Sequence, residues 1–591
     1  MSIPARLRRG RAIGLIGGAS AVLAVAAAVL VPAGGASAAT TISVDFSTNL
    51  GAPTYRASGT LYGMTEDGAN PPDQYYRNIK WHFERAGGAQ LPGGGWVGGG
   101  YTRRWNSVLA QAKRTAALGG TFIILPHDLW GADGAGISTW PGDNGDWTNF
   151  DNFLNQVISD VRANNLTVQW DIWNEPDLTI FWNRAQSQYL AMWARAYQRI
   201  RAAFPNAVIV GPSSAGKPSS GNGWWTTYLD YVKANNVVPN IFSWHDEPGD
   251  PVSETSAADS LLSARGITRG TPYQINEYAT LDRQNPGGGG WFIGRLERAR
   301  ADGLRGNWGS GSGLHNFAAG LLTGSTGAYQ TKGEWYTYNF YASMTGTLAN
   351  LTPTGGMDGV ATKDNTAGNA KVLLGSNGVA DTVTLALNRL DTTSVVRNGQ
   401  VRVVVQRVPY NGGGAVSGPV TVSDQTVNVA SNSAAVTINW TSAQDGYTVT
   451  VLPPAGASPP PTTAPPTTAP PTTAPPTTAP PTTAPPTTAP PGSGCGATYQ
   501  IANSWPGGFQ GTVTVTNHGT TATNGWTVRW TFPNGQTISQ LWNGSYTQSG
   551  ANVTVTNASY NGTVAPGQST TFGFIGTSTG TNTAPSTVIC N

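Results

Sequence analysis

The 591-residue sequence predicts a multidomain chain: a (β/α)8 TIM barrel with an accessory antiparallel β-sandwich, a Pro/Thr-rich linker and a C-terminal β-sandwich. Three observations predict it. Between about residues 60 and 345, short apolar runs ending in polar or aromatic clusters alternate with segments of helical periodicity, as in a parallel barrel. From 346 to 455 only period-two alternation remains, as in Thr382-Val383-Thr384-Leu385-Ala386-Leu387, which indicates antiparallel strands. From 456 to 494 the chain is a Pro-Pro-Thr-Thr-Ala repeat, a segment with nothing apolar to bury.

Residues 1–38 read as a secretory signal peptide, with four arginines up to Arg11, an apolar run over 13–31 and the small-residue site Ala36-Ser37-Ala38. The Arg8-Arg9 pair raises twin-arginine export, but the residues after it fit the general secretory route better. An uncleaved anchor is the alternative, since the run is nearly long enough to span a bilayer. Cleavage leaves no membrane contact and a secreted protein. Discounting the four arginines turns the formal charge of +3 into −1 for the remainder, so there is no basic footprint for nucleic acid. Only 11% of residues are charged, against roughly a quarter in ordinary soluble domains. Gly, Thr, Ser, Asn and Trp abound instead, an extracellular surface solvated by hydroxyls and amides.

An isolated strand at 41–46 precedes the barrel and is a candidate for the sandwich. The barrel, placed at 40–345, draws its eight strands from 61–64, 80–85, 121–127, 168–172, 207–212, 241–245, 272–277 and 303–308. Helices are expected over 105–118, 149–164, 184–204 and 257–265, where apolar residues recur at three- and four-residue spacing. No Gly-rich dinucleotide fingerprint supports an open doubly wound sheet. The sandwich at 346–455 takes strands at 371–375, 381–390, 400–409, 419–429, 434–440 and 446–452, and shows no site of its own. The linker reads as extended polyproline II reaching ~110 Å, so the folded parts on either side move separately. Residues 495–591 carry strands near 511–516, 526–531, 551–556 and 570–574. Both cysteines, Cys495 and Cys590, lie there. In an oxidising compartment they favour a disulfide over a metal site, which stabilises the unit by up to ~4–5 kcal/mol in the chain-entropy model.

The chemistry centres on strand ends. Val168, Trp170 and Ile172 alternate with Gln169 and Asp171, and the run stops at Trp173-Asn174-Glu175-Pro176, where proline cannot continue a ladder. The seventh strand ends likewise in Ile275-Asn276-Glu277-Tyr278. At the C-terminal lip of a barrel, Glu175 and Glu277 face one cleft. Two carboxylates across a cleft are the minimum for glycosidic bond cleavage, one to protonate the leaving oxygen and one to meet the oxocarbenium ion. His245 closes the sixth strand and is placed to orient Glu277 or bind a sugar hydroxyl. His127, Arg85 and Trp308, after the third, second and eighth strands, are further candidates for lining the substrate site. No His/Cys/Asp cluster suggests a metal, and the chemistry needs no cofactor.

Trp173-Asn174-Glu175-Pro176 paired with Glu277 resembles clan A of the glycoside hydrolases. The compact barrel, the following sandwich and the early strand are most similar to family 39, over about residues 40–455. The resemblance implies a retaining mechanism with Glu175 as acid/base, Glu277 as nucleophile and Asn174 bonding the sugar 2-hydroxyl. It also implies xylose- or arabinose-containing substrates. An endo-glucanase or other clan A specificity is the enzymatic alternative, and an inactive carbohydrate-binding or adhesion protein is the alternative from another class.

Residues 495–590 resemble a family 2 carbohydrate-binding module through Asn503-Ser504-Trp505-Pro506-Gly507, Gly525-Trp526-Thr527-Val528-Arg529-Trp530, Leu541-Trp542-Asn543-Gly544 and Ser559-Tyr560-Asn561-Gly562. The resemblance implies a cellulose-binding face at Trp505, Trp542 and Tyr560, the last usually Trp in cellulose binders. Trp526 and Trp530 share one strand face and are expected in the core. The whole is expected to be a secreted glycosidase of plant cell-wall polysaccharide, held to cellulose by its C-terminal module.

Overall fold

In a computed structural model the chain is described over residues 40–133, 136–246, 249–269, 272–307, 314–455, 494–505, 507–558, 561–578 and 581–591. The signal-peptide and linker readings fall on 1–39 and 456–493, outside these residues. The chain divides into two compact units, 1–461 and 462–591. Among the described residues no helix is long and apolar enough to cross a membrane.

Unit one begins with β1 (Thr40–Asp45). Eight parallel strands then close a barrel in sequence order: β2 (Gly59–Leu61), β3 (Phe83–Ala86), β4 (Thr121–Ile124), β5 (Val168–Asp171), β6 (Val208–Ser214), β7 (Ile241–Asp246), β8 (Tyr273–Tyr278) and β9 (Ala301–Arg305). β9 pairs back onto β2 through Leu304 and Gly59. The first strand lies two residues ahead of its expected place, because Tyr62 turns to a φ of +55° and ends it. The four expected helices form at Tyr101–Ala117, Thr148–Ala163, Gln186–Ala203 and Pro251–Ser263. Their inner faces bury Trp105, Val108, Phe153, Val157, Trp193 and Leu261 around the barrel.

The helix Pro286–Ala299 is not among the expected ones, since its first turns are Gly287-Gly288-Gly289-Gly290. Each glycine costs a helix interior about 1 kcal/mol relative to alanine. Packing explains them: a Cβ on Gly294 would stand 2.5 Å from the Gly359 carbonyl oxygen, and one on Gly290 2.9 Å from that of Leu374. The helix therefore lies flush on the sandwich, and Arg298 completes the contact by donating to the buried Asp358 carboxylate at 2.6 and 2.8 Å.

After the hairpin β10 (Leu322–Ser325) and β11 (Ala328–Thr331), the sandwich is built from β12 (Thr347–Thr352), β13 (Met357–Asp364), β14 (Asn369–Ser376), β15 (Thr382–Asn388), β16 (Gln400–Val408), β17 (Val420–Asn428), β18 (Ala434–Asn439) and β19 (Gly446–Leu452). Their order is β17-β16-β19-β14-β13-β12-β1-β15-β18. β1 thus enters between β12 and β15, antiparallel to the first and parallel to the second, so the sandwich is not wholly antiparallel. Ile42, Val44 and Phe46 are buried among Val383, Leu385 and Val449.

Unit two is a sandwich of two four-stranded sheets. One is formed by β20 (Cys495–Trp505), β21 (Gly508–Asn517), β23 (Thr537–Trp542) and β26 (Ser569–Thr577). The other is formed by β22 (Thr527–Thr531), β24 (Gly544–Ser549), β25 (Asn552–Asn557) and β27 (Val588–Cys590). Trp526 and Trp530 are buried in its core, where Trp526 stacks on Phe572 with ring centroids 5.4 Å apart. Cys495 and Cys590 form a disulfide.

Gly294→Ala is expected to lower stability by about 1–2 kcal/mol, the overpacking cost exceeding the gain in helix propensity. A rise in thermal midpoint would show that the helix does not need this close approach.

Candidate active site

β5 ends at Asp171, and Ile172-Trp173-Asn174 carry the chain over the lip to Glu175. Glu175 adopts a left-handed φ of +41°, which costs a non-glycine residue about 1–3 kcal/mol. Two anchors hold it there. Its amide donates to the Ser213 carbonyl at 2.8 Å, and the Asp177 carboxylate accepts from the amides of Ala215 at 2.9 Å and Gly216 at 2.6 Å. Glu277 lies inside β8 where the register shifts against both neighbouring strands. Such bulges re-aim a side chain beside a site.

Arg85, from the second barrel strand, joins the two. Its Nε donates to Asp171 at 2.7 Å, Nη1 to Glu277 at 2.9 Å and Nη2 to Asn174 at 2.8 Å. The guanidinium is fully buried. Burial works against its charge, but Asp171 and Glu277 outweigh it and its pKa is raised. Asp171 is buried as well, and burial raises its pKa against the pull of Arg85. The Ser213 hydroxyl and the Asn276 amide each donate to Asp171 at 2.8 Å, so the carboxylate is saturated with donors.

His245 stands between the two glutamates. Its Nδ1 lies 2.8 Å from Glu175 Oε1 and 3.5 Å from Glu277 Oε2. Burial lowers its pKa, opposed first by Glu277. Burial also pushes Glu175 up to about 7, aided by Asp177 and opposed by Arg85 and His127. Glu175 and His245 thus face each other across a hydrogen bond of 2.8 Å, with burial disfavouring the charged form of each. The three donor atoms lie within 4.8 Å of one another, close enough to bind a cation. A metal there would consume both carboxylates, so it competes with acid/base chemistry at this place. A pocket of about 240 Å³ opens over the pair, lined by Leu61, Tyr62, Asp128, Asn174 and Phe181 among others.

Of the residues expected at the site, Glu175, Glu277, Asn174 and Arg85 all border this pocket. His245 is 2% exposed and sits behind the carboxylates. His127 does not reach the pocket. It is fully buried, edge-on to Trp173 at 4.9 Å and Phe181 at 5.6 Å, with Nδ1 2.7 Å from Asp128 Oδ1. Packing between aromatic rings replaces the expected substrate contact. Trp308 and Tyr560 lie outside the described residues. Trp505 ends β20 and Trp542 ends β23, two strands of one sheet.

Asp171, Ser213 and Asn276 went unrecognised as parts of the site. Their signal was available: Gln169 and Asp171 alternate with apolar residues in a strand flanked on both sides by other strands. In a barrel the polar face of such a strand points into the lumen, and the Gln274 amide does bond Gln169 there at 2.8 Å.

Comparison with other proteins bears first on the C-terminal unit. Residues 495–591 match the family model of the cellulose binding domain. This unit is a domain of that family. The chain is 60% identical over 89 residues to Endoglucanase A of Thermobispora bispora, covering 15% of this chain and 20% of that protein. It is 51% identical over 98 residues to Exoglucanase A of Cellulomonas fimi, covering 17% and 11%. The chain therefore spans a fifth or less of the length of these relatives. Among solved structures, N2152 from Neocallimastix frontalis aligns over 70% of this chain and 100% of its own, with a TM-score of 0.58 and 24% identity, a likeness of fold.

Arg85→Met is expected to cost about 3–5 kcal/mol, because it leaves Asp171 buried and unpaired. Urea unfolding measures this. The deficit should shrink as pH falls through the raised pKa of Asp171 in the variant and be gone near the ordinary carboxylate range at about 4, since the native variant then takes up a proton and no longer holds an unpaired charge. A deficit independent of pH would mean that Arg85 acts by packing alone.

Proposed function

We propose that the protein is a secreted retaining O-glycoside hydrolase of plant cell-wall polysaccharide, held to cellulose by its C-terminal domain. The observation that carries the reading is the pair of carboxylates at the barrel lip. Glu175 and Glu277 offer oxygens no more than 4.8 Å apart, which supports the roughly 5–5.5 Å spacing of retaining enzymes over the roughly 6.5–9.5 Å that leaves room for an inverting water.

In the first step Glu277, oriented by Arg85, attacks the anomeric carbon while Glu175 donates its proton to the departing oxygen. In the second, Glu175 takes a proton from water as that water displaces Glu277. The elevated pKa of Glu175 suits the first step. Loss of the negative charge on Glu277 in the covalent intermediate lowers the pKa of Glu175 for the second. Asn174, fixed by Arg85, is placed to bond the sugar 2-hydroxyl. The small pocket, under the roughly 300–1,000 Å³ usual for drug-sized ligands, suits a short sugar unit, and xylose- or arabinose-containing glycans are the first substrates to try. Trp505, Trp542 and Tyr560 are the proposed stacking face for cellulose.

Glu175→Ala and Glu277→Ala should each reduce hydrolysis of 4-nitrophenyl β-xyloside and α-arabinofuranoside by at least a hundredfold, with the first-formed anomer of the intact enzyme retained by proton NMR. Unchanged rates in both variants would remove the mechanism. Because the acid must be protonated, kcat/KM should fall as pH rises through about 7. A chain ending at Gly456 should no longer sediment with crystalline cellulose, and one that still does would refute tethering by the C-terminal domain.

A further inference from the structure

Among the described residues eight large aliphatic side chains are exposed, and three of them follow the two glutamates closely: Leu178 at 39%, Ile180 at 58% and Leu281 at 60%. Leu178 and Ile180 stand on the turn leaving Glu175, and Leu281 on the loop leaving Glu277. Such side chains scattered singly over a surface need no explanation. Here the placement is not scattered, and the turn that carries Leu178 and Ile180 is rigid. The amide of Leu178 donates to the Glu175 carbonyl at 3.0 Å, that of Phe181 to the Leu178 carbonyl at 3.0 Å and that of Trp182 to the same carbonyl at 2.8 Å. The Trp173 indole donates to the Phe181 carbonyl at 2.9 Å, and Asp177 ties the turn to the loop after β6. The aliphatic groups are therefore presented to solvent by a fixed backbone, and Phe181 links them to the pocket.

Resting on the glycosidase reading above, and narrowing its substrates from polysaccharide linkages to glycosides that carry an aryl group, we infer that Leu178 and Ile180, continued by Phe181, form a binding platform for the leaving group, and that the platform selects an aromatic aglycone. Glu175 protonates the departing oxygen, so whatever is attached to that oxygen lies on the Glu175 side of the cleft, where this turn stands. A sugar in that position would call for side-chain donors and acceptors to meet its hydroxyls. The platform offers one hydroxyl, that of Thr179, amid apolar surface. The carboxylate of Asp177 is occupied by backbone amides. An aryl group gains from covering Leu178 and Ile180 in proportion to the apolar area removed from water.

The test compares a glycosyl fluoride, whose leaving group touches no platform, with phenyl and 2-naphthyl glycosides of whichever sugar the aryl-glycoside screen finds active. In the intact protein, kcat/KM should rise from phenyl to naphthyl through a lower KM. In Leu178→Ser/Ile180→Ser, the naphthyl-to-fluoride ratio of kcat/KM should fall about tenfold. A fall shared equally by the fluoride would mean that the turn supports Glu175 rather than the leaving group, and an unchanged ratio would equally overturn the platform. Saturable binding of 2-naphthol, followed by ligand-observed NMR, should be weakened in the same variant. This readout needs no turnover, so equal binding by both proteins defeats the platform even if no glycoside is cleaved, whereas absence of cleavage alone defeats the glycosidase reading.

Discussion

A single buried cation organises the barrel mouth. The Arg85 guanidinium reaches from the second barrel strand to Asp171 and Asn174 on the fourth and to Glu277 on the seventh, so three strands separated by up to 192 residues of sequence are set by one planar fork. Its geometry suits the task, since five donors at fixed angles hold several acceptors in register where an ammonium could not. Burying such a group is expensive unless each charge is paired and each donor met. The surrounding Ser213 and Asn276, which satisfy Asp171, are as necessary as the arginine. The same network keeps Glu277 beside a positive charge while burial on the same lip pushes Glu175 toward neutrality. Two carboxylates of one type thereby stand in different electrostatic surroundings, one paired with a cation and one desolvated.

The second constraint is the seam between barrel and sandwich within unit one. The Pro286–Ala299 helix follows directly on the loop after Glu277, and its glycines let it settle on the sandwich backbone with no side chain between. Interlocked backbones leave little freedom to shift. The sandwich thus acts as a buttress for the end of the barrel from which the nucleophile candidate is presented.

Much of this was legible in the sequence, and the limits are physical. Glu175 and Glu277 could be read because each interrupts an apolar strand at a point where only the lip of a barrel can accommodate a carboxylate. Arg85 was visible as a strand-end cation but not as a hub, since its acceptors are nearly a hundred and two hundred residues away. Asp171 was hidden because alternation alone does not tell a solvent face from a lumen face, and in β5 the polar face belongs to the lumen. His127 shows the opposite failure: lip position alone suggested substrate contact, but Trp173 and Phe181 closed over it. The glycine helix escaped because tertiary packing overrode local propensity, and propensity is all that a sequence window contains.

The place of β1 in the sandwich has a consequence for how the molecule comes into being. Asp45 pairs with Asn388, about 340 residues later, with the whole barrel between them. At a synthesis rate of roughly 5–20 residues per second, the apolar edge of Ile42, Val44 and Phe46 waits on the order of 20–70 s for its partners. The two halves of unit one are consequently not beads on a string. The sandwich encloses the barrel in sequence as a clasp encloses a chain, and it closes only after the barrel has been made.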